Sequence, residues 1–198
     1  MTWKHVPIVA IDTETTGMSV ATGDRILAFT AGVLKLGPDG QIANHETHSW
    51  LVNPEIPIRP VVSEITGISD KDVADQPTFA KIADEVWNLL DGAVVVAHNR
   101  RFDKGFLLEE FRRIDREWPS TIAEIDTIDL SMRTFPDATS HQLDDLCARL
   151  AVDPPAGDRR TPSSALASGR CFVEMARRSE IPDDLEKLLE WAKPAKRG

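Results

Sequence analysis

The chain is short of several things, and each scarcity closes a door. Its 198 residues hold two cysteines, Cys147 and Cys171, and no Cys-x-x-Cys pair. Both fall in apolar stretches of helical spacing, so they read as reduced core thiols rather than a disulfide framework or a zinc site. No run approaches the roughly 20 apolar residues needed to span a bilayer. The first residues show no charged-then-apolar leader, and the expectation is a cytoplasmic protein. No internal repeat and no low-complexity tract appears. Positive charge is scarce too: 23 Lys and Arg against 32 Asp and Glu give a formal net charge of -9. A protein that coats a polyanion along its length has the opposite balance. An enzyme that grips only the end of a strand is not excluded, because bound cations supply positive charge locally.

What is present describes an ordinary globule, 41% hydrophobic and 28% charged, long enough to bury a core without cross-links. Residues 1–182 read as one domain and 183–198 as a C-terminal helix with a basic tail. The most informative stretch is Ile8-Val9-Ala10-Ile11-Asp12-Thr13-Glu14-Thr15-Thr16-Gly17, an apolar run that ends in acids, hydroxyls and a glycine. It reads as a buried strand. Side chains alternate along a strand, so Asp12 and Glu14 point the same way and converge on one small volume. Two like charges that close call for a hard divalent cation such as Mg2+ or Mn2+.

Further along, 26–36 and 41–52 flank the turn signal Gly37-Pro38-Asp39-Gly40 and read as an antiparallel hairpin. Residues 53–60 carry three prolines and read as irregular, followed by short helical turns to 73 and a helix over 77–90. A second buried strand, 93–97, leads into a helix from about 103 to 116. Asp103 then sits in a first helical turn, where the macrodipole favours an anion, just past a strand tip. A short strand at 122–126 and helices at 127–135, 141–150, 163–178 and 183–192 complete the reading. Strands followed by alternating strands and helices give an α/β domain with a mixed sheet. In such sheets sites lie outside the carboxyl ends of the strands, where Asp12, Glu14 and Asp103 fall. The role of His98 stays open, and Arg100, Arg101 and Lys104 read either as a solvated face or as a path for a strand's backbone.

Four motifs together resemble a known family. Asp12-Thr13-Glu14-Thr15-Thr16-Gly17, Ile65-Thr66-Gly67-Ile68, Ala97-His98-Asn99-x-x-Phe102-Asp103 and Asp126-Thr127 are similar to those of the DEDD 3′-5′ exonucleases. The likeness includes the proofreading epsilon subunit of bacterial DNA polymerase III. It implies a ribonuclease H-like mixed five-stranded sheet flanked by helices, and a two-metal hydrolysis in which Asp12, Glu14 and Asp103 hold paired Mg2+ or Mn2+ ions. It further implies a terminal-nucleotide pocket from Thr15, Thr16, Gly17, Met18, Ile65, Asn99 and Phe102. The implied partners are a nucleic acid with a free 3′ end and a DNA polymerase or other replication protein.

The last motif of that family departs here. Matching the Ala-rich helix puts Arg159 where the resemblance expects a general-base histidine, and Ser164 where it expects a fourth carboxylate. Arginine stays protonated and cannot accept a proton from water, and a serine hydroxyl is a weak ligand beside a carboxylate. Three remedies are open: His141 with Asp145, Asp158 as a substitute ligand, or three carboxylates alone with Arg159 clamping a substrate phosphate. The two function classes that follow are an exonuclease, impaired by these departures, and a nuclease-like nucleic-acid-binding or polymerase-associated module.

Overall fold

The computed structural model describes residues 2–155 and 162–193. One sheet of five strands organises them, in the order β3-β2-β1-β4-β5. Central β1 (Ile8–Thr15) pairs antiparallel with β2 (Ile26–Leu36), which pairs antiparallel with the edge strand β3 (Ile42–Leu51). On its other side β1 runs parallel to β4 (Val94–Ala97), and β4 parallel to β5 (Ala123–Asp126). The mixed sheet with its antiparallel hairpin is the arrangement the pattern predicts.

Helices cover both faces, which is why β1 is apolar without alternation. Ile8 and Ala10 face a layer built with α5 (Thr127–Thr134), α6 (Leu143–Leu150) and α7 (Ser163–Arg178). Val9 and Ile11 face α3 (Phe79–Leu90) and α4 (Arg100–Arg113). A smaller cluster seats α1 (Pro60–Thr66) and α2 (Asp70–Val73) beside Leu27 and Ala28 of β2. The C-terminal α8 (Leu185–Trp191) packs on the α7 layer through Leu185, Leu188 and Trp191. Trp3, in a short 3-10 turn, is buried there too and donates its indole N–H to the Pro182 carbonyl. Cys147 and Cys171 are free, buried and 3.6 Å apart at sulfur, as core thiols shared by α6 and α7.

Two local details differ from the sequence reading. The fourth helix begins at Arg100 rather than near 103, because Asn99 turns the chain in the left-handed region, φ 81°. Asn is one of the few side chains that tolerate that conformation. The helix ends at Arg113, with Asp115 at φ 53°. A buried ion pair fixes its position against the sheet: Arg25 Nε and Nη2 donate to Glu110 at 2.7 and 2.9 Å. Those two hydrogen bonds, outweighing the cost of burial, raise the Arg25 pKa.

Candidate active site

β1 and β4 run parallel, and past their carboxyl ends a cavity of about 430 Å³ opens. Asp12, Thr13, Glu14, Thr15, Gly17 and Met18 line it from β1 and the loop beyond. Arg59, just before α1, and Val61, Val62, Ile65 and Thr66 of α1 line it from a second side, and His98, Asn99, Phe102 and Asp103 from the turn into α4 and its first residues. Three elements far apart in sequence thus meet at one mouth. Asp103 is still in the first turn of its helix, and it is 3% exposed.

Thr13 holds Asp103 in place. Its backbone N–H and its hydroxyl both donate to Asp103 Oδ1, at 2.9 and 2.8 Å. Strand alternation puts Thr13 on the α4 face of β1 and Asp12 on the other, so this clasp brings the helix carboxylate to the rim of the strand. Burial, and then the charge of Asp12, push the Asp103 carboxyl well above the ordinary carboxylate range, against the pull of the Thr13 hydrogen bonds. A buried carboxylate in the field of a second, half-buried one fits a hard divalent cation, which takes carboxylate, phosphate and water oxygens. Among the described residues no three His, Cys, Asp or Glu side chains form a ready-made group around a metal position. The acids line one cavity without closing on a common point.

His98 is tied into the scaffold. Its Nδ1 lies 2.9 Å from the Thr127 hydroxyl. Burial holds its pKa below the ordinary imidazole value, while Asp126 and a hydrogen bond to the His141 backbone pull the other way. Asp126 caps α5 by accepting from Ile128 N at 3.0 Å, and it also accepts from Asn99 N. His141 is 2.8 Å from the Ser131 hydroxyl. Arg100 and Lys104 turn to Glu124, at 2.6 and 2.5 Å, so these two of the three cations serve an internal network rather than an open face.

Of the residues expected to bind substrate, Thr15, Gly17, Met18, Ile65, Asn99 and Phe102 line the cavity. Met18 and Ile65, which line the same cavity, are 81% and 63% exposed. Thr16 is buried, with its carbonyl accepting from Arg59 Nη2 at 3.0 Å. Ser164 sits half-buried in the first turn of α7, and the described lining does not include it. Arg159 and Asp158 lie outside the described residues. The sequence reading missed Thr13 and Arg59. A hydroxyl between two acids was the only available signal for the first, and an arginine between two prolines for the second.

A larger, more open groove of about 690 Å³ crosses α7 near Arg170, Arg177 and Arg178. Its arginines are spoken for: Glu174 takes Arg177 and Arg178 at 2.7 Å each. It gathers none of the motif acids, so the chemistry is assigned to the smaller cavity.

The exonuclease family model RNase_T matches residues 9–156. The chain belongs to the exonuclease family. The match contains Asp12, Glu14 and Asp103 and stops short of Arg159 and Ser164. Exonucleases of this family generally depend on divalent metal. The 3′-5′ exonuclease DinG of Bacillus subtilis is 36% identical over 94% of this chain, which spans 18% of that protein. The epsilon subunit of DNA polymerase III from Escherichia coli is 31% identical over 84% of this chain, which spans 68% of that subunit. In fold, exonuclease X, solved in complex with 5′ overhanging duplex DNA, superposes with a TM-score of 0.66 at 22% identity, covering 93% of this chain and 99% of that one. The fold is therefore ribonuclease H-like, as the motifs imply.

Proposed function

We propose that the chain is a 3′-5′ exonuclease that releases nucleoside monophosphates from the 3′ end of DNA or RNA, with Asp12, Glu14 and Asp103 as the residues that would hold two Mg2+ or Mn2+ ions. The supporting observation is Asp103: a carboxylate buried in the field of Asp12, clasped by Thr13 at a strand tip, in a cavity that Glu14 also lines. Such a group is expensive to keep charged without a cation, and its hydrogen bonds preserve the position rather than relieve the charge. When bound, the ions would supply an activated water and neutralise charge on the departing oxygen.

The reaction consumes one water. Its oxygen joins phosphorus, the bond from phosphorus to the 3′ oxygen of the penultimate nucleotide breaks, and a proton moves from the water to that oxygen. Met18, Ile65 and Phe102 would hold the terminal base by stacking, worth about 1–3 kcal/mol per base whatever the sequence. His98 has its ring engaged at Thr127 and the His141 backbone, so it is not assigned the proton transfer. With Arg159 and Ser164 in the last motif, the step would lack the histidine and the fourth carboxylate that the resemblance expects. A loss of about 100- to 10,000-fold in rate is the ordinary consequence.

One observation favours the second reading, a binding or polymerase-associated module that cuts little. Arg159 is an added cation where the family resemblance expects a proton acceptor, which suits holding a strand better than cutting it. Polymerase partnership rests on the likeness to epsilon, and a cytoplasmic setting accords with the absence, among the described residues, of a helix able to cross a membrane. A 3′-labelled single strand incubated with Mn2+ separates the readings. Shortening that vanishes in Asp12→Ala supports the enzyme, and binding without shortening supports the module.

A further inference from the structure

Arg59 is the one permanent cation among the described residues that line the cavity. We infer that it is a substrate-gripping residue, taking a phosphate of the nucleic-acid strand opposite the carboxylates; this deepens the exonuclease reading and rests on it.

The placement of Arg59 is stiff. Pro57 and Pro60 flank Ile58-Arg59, Ile58 is buried, and its N–H donates to Asp70 at 2.9 Å. Arg59 itself is extended, φ -65° and ψ 140°, and hands over to Pro60 at the first position of α1, the conformation a following proline demands. One guanidinium hydrogen goes to the Thr16 carbonyl at 3.0 Å, and Asp24 stands 3.7 Å away. The side chain is nevertheless 62% exposed. A guanidinium carries five donors in a fixed fork, so those beyond the Thr16 bond are available to a phosphate. The loop bond aims the group, which reduces the ordering cost of gripping a ligand. Gly17 is the other half of this arrangement: a Cβ there would meet the Asp24 carboxylate at 2.3 Å and Arg59 Nη2 at 2.4 Å.

A cleft walled by three acids attracts a polyanion poorly, and a fixed cation on the facing wall offsets that. Phosphate gripping also leaves the base free, as sequence-tolerant trimming requires.

The test is the salt dependence of binding for a 5′-fluorescein single strand, read by anisotropy with Ca2+ present. Arg59→Gln should weaken binding at least about tenfold and lower the slope of log K against log salt by about 0.7, the share of one single-strand phosphate. Arg59→Lys, which keeps the charge, should retain the slope, and Lys187→Gln on α8 should change neither quantity. Gly17→Ala, which displaces the guanidinium, should follow Arg59→Gln. Unchanged slope and affinity in Arg59→Gln, with wild-type binding intact, would overturn this inference alone. A loss confined to one terminal base would overturn it too, assigning Arg59 to base reading. Failure of the wild-type protein to bind any strand would remove the exonuclease reading and this inference together.

Discussion

At the scale of single residues, function and stability pull Asp103 in opposite directions. Its carboxyl is buried beside Asp12, and its pKa lies well above the ordinary range. A folded-state pKa above the unfolded one means a contribution to stability that is full below the unfolded pKa and lost as pH rises through the folded pKa. In the cation-free protein, therefore, Asp103 is a burden at neutral pH and none in acid. Asp103→Asn keeps an oxygen to accept both Thr13 donors and removes the charge. The variant should melt higher than wild type at neutral pH in EDTA, by about 2–4 °C for each kcal/mol recovered, with the gain fading toward acid and cleavage abolished. Melting curves across pH check the first part, and a variant that melts lower at every pH would refute it. The complementary change is at the departed positions: Arg159→His with Ser164→Asp should raise cleavage of a labelled strand by about 100-fold or more, the usual worth of a general base. No gain from that pair would place the weakness elsewhere.

At the scale of elements, the site depends on how closely α7 and α4 lie on the sheet. α7 packs on β1, β2 and β4, and Gly169 lets it do so: an added Cβ would meet Leu34 Cδ1 at 2.6 Å and the Ala10 Cβ at 2.8 Å. Gly169→Ala should cost about 1–3 kcal/mol, as overpacking does. Gly105, inside α4, meets nothing within 4 Å of an added Cβ, so there the same substitution should stabilise by about 0.5–1 kcal/mol through helix propensity. Denaturant midpoints of the two variants should move in opposite directions. These elements were largely legible in the sequence. An apolar run ending in acids marked β1, a second run bounded by Asp91-Gly92 and His98-Asn99 marked β4, and the Gly-Pro-Asp-Gly turn marked the β2–β3 hairpin. The start of α4 was misjudged by three residues because Asn99 enters it from the left-handed region, which no periodicity reveals. The Thr13–Asp103 clasp joins positions 90 apart and Arg59 reaches Thr16 across 43. Pairings of that range are set by packing of whole layers, so the acids could be named from sequence while the groups that position them could not.

At the scale of the whole molecule, a net charge of -9 and a cavity of carboxylates make the folded state sensitive to divalent cations. Ions that bind the native cavity and not the unfolded chain stabilise by mass action, about 2.7 kcal/mol when their concentration is 100 times the dissociation constant. For a domain of this length that is a rise in Tm of about 5–11 °C. Mg2+ or Mn2+ should therefore raise the melting temperature, EDTA should reverse the rise, and Asp12→Ala should flatten the response while still folding. Monovalent salt serves as the control, because general screening of surplus negative charge raises Tm without regard to Asp12. If NaCl at matched ionic strength reproduces the whole effect, or if Asp12→Ala responds like wild type, the ions act on the surface at large. The cavity would then lose its claim to be where they bind, and the binding-module reading would gain.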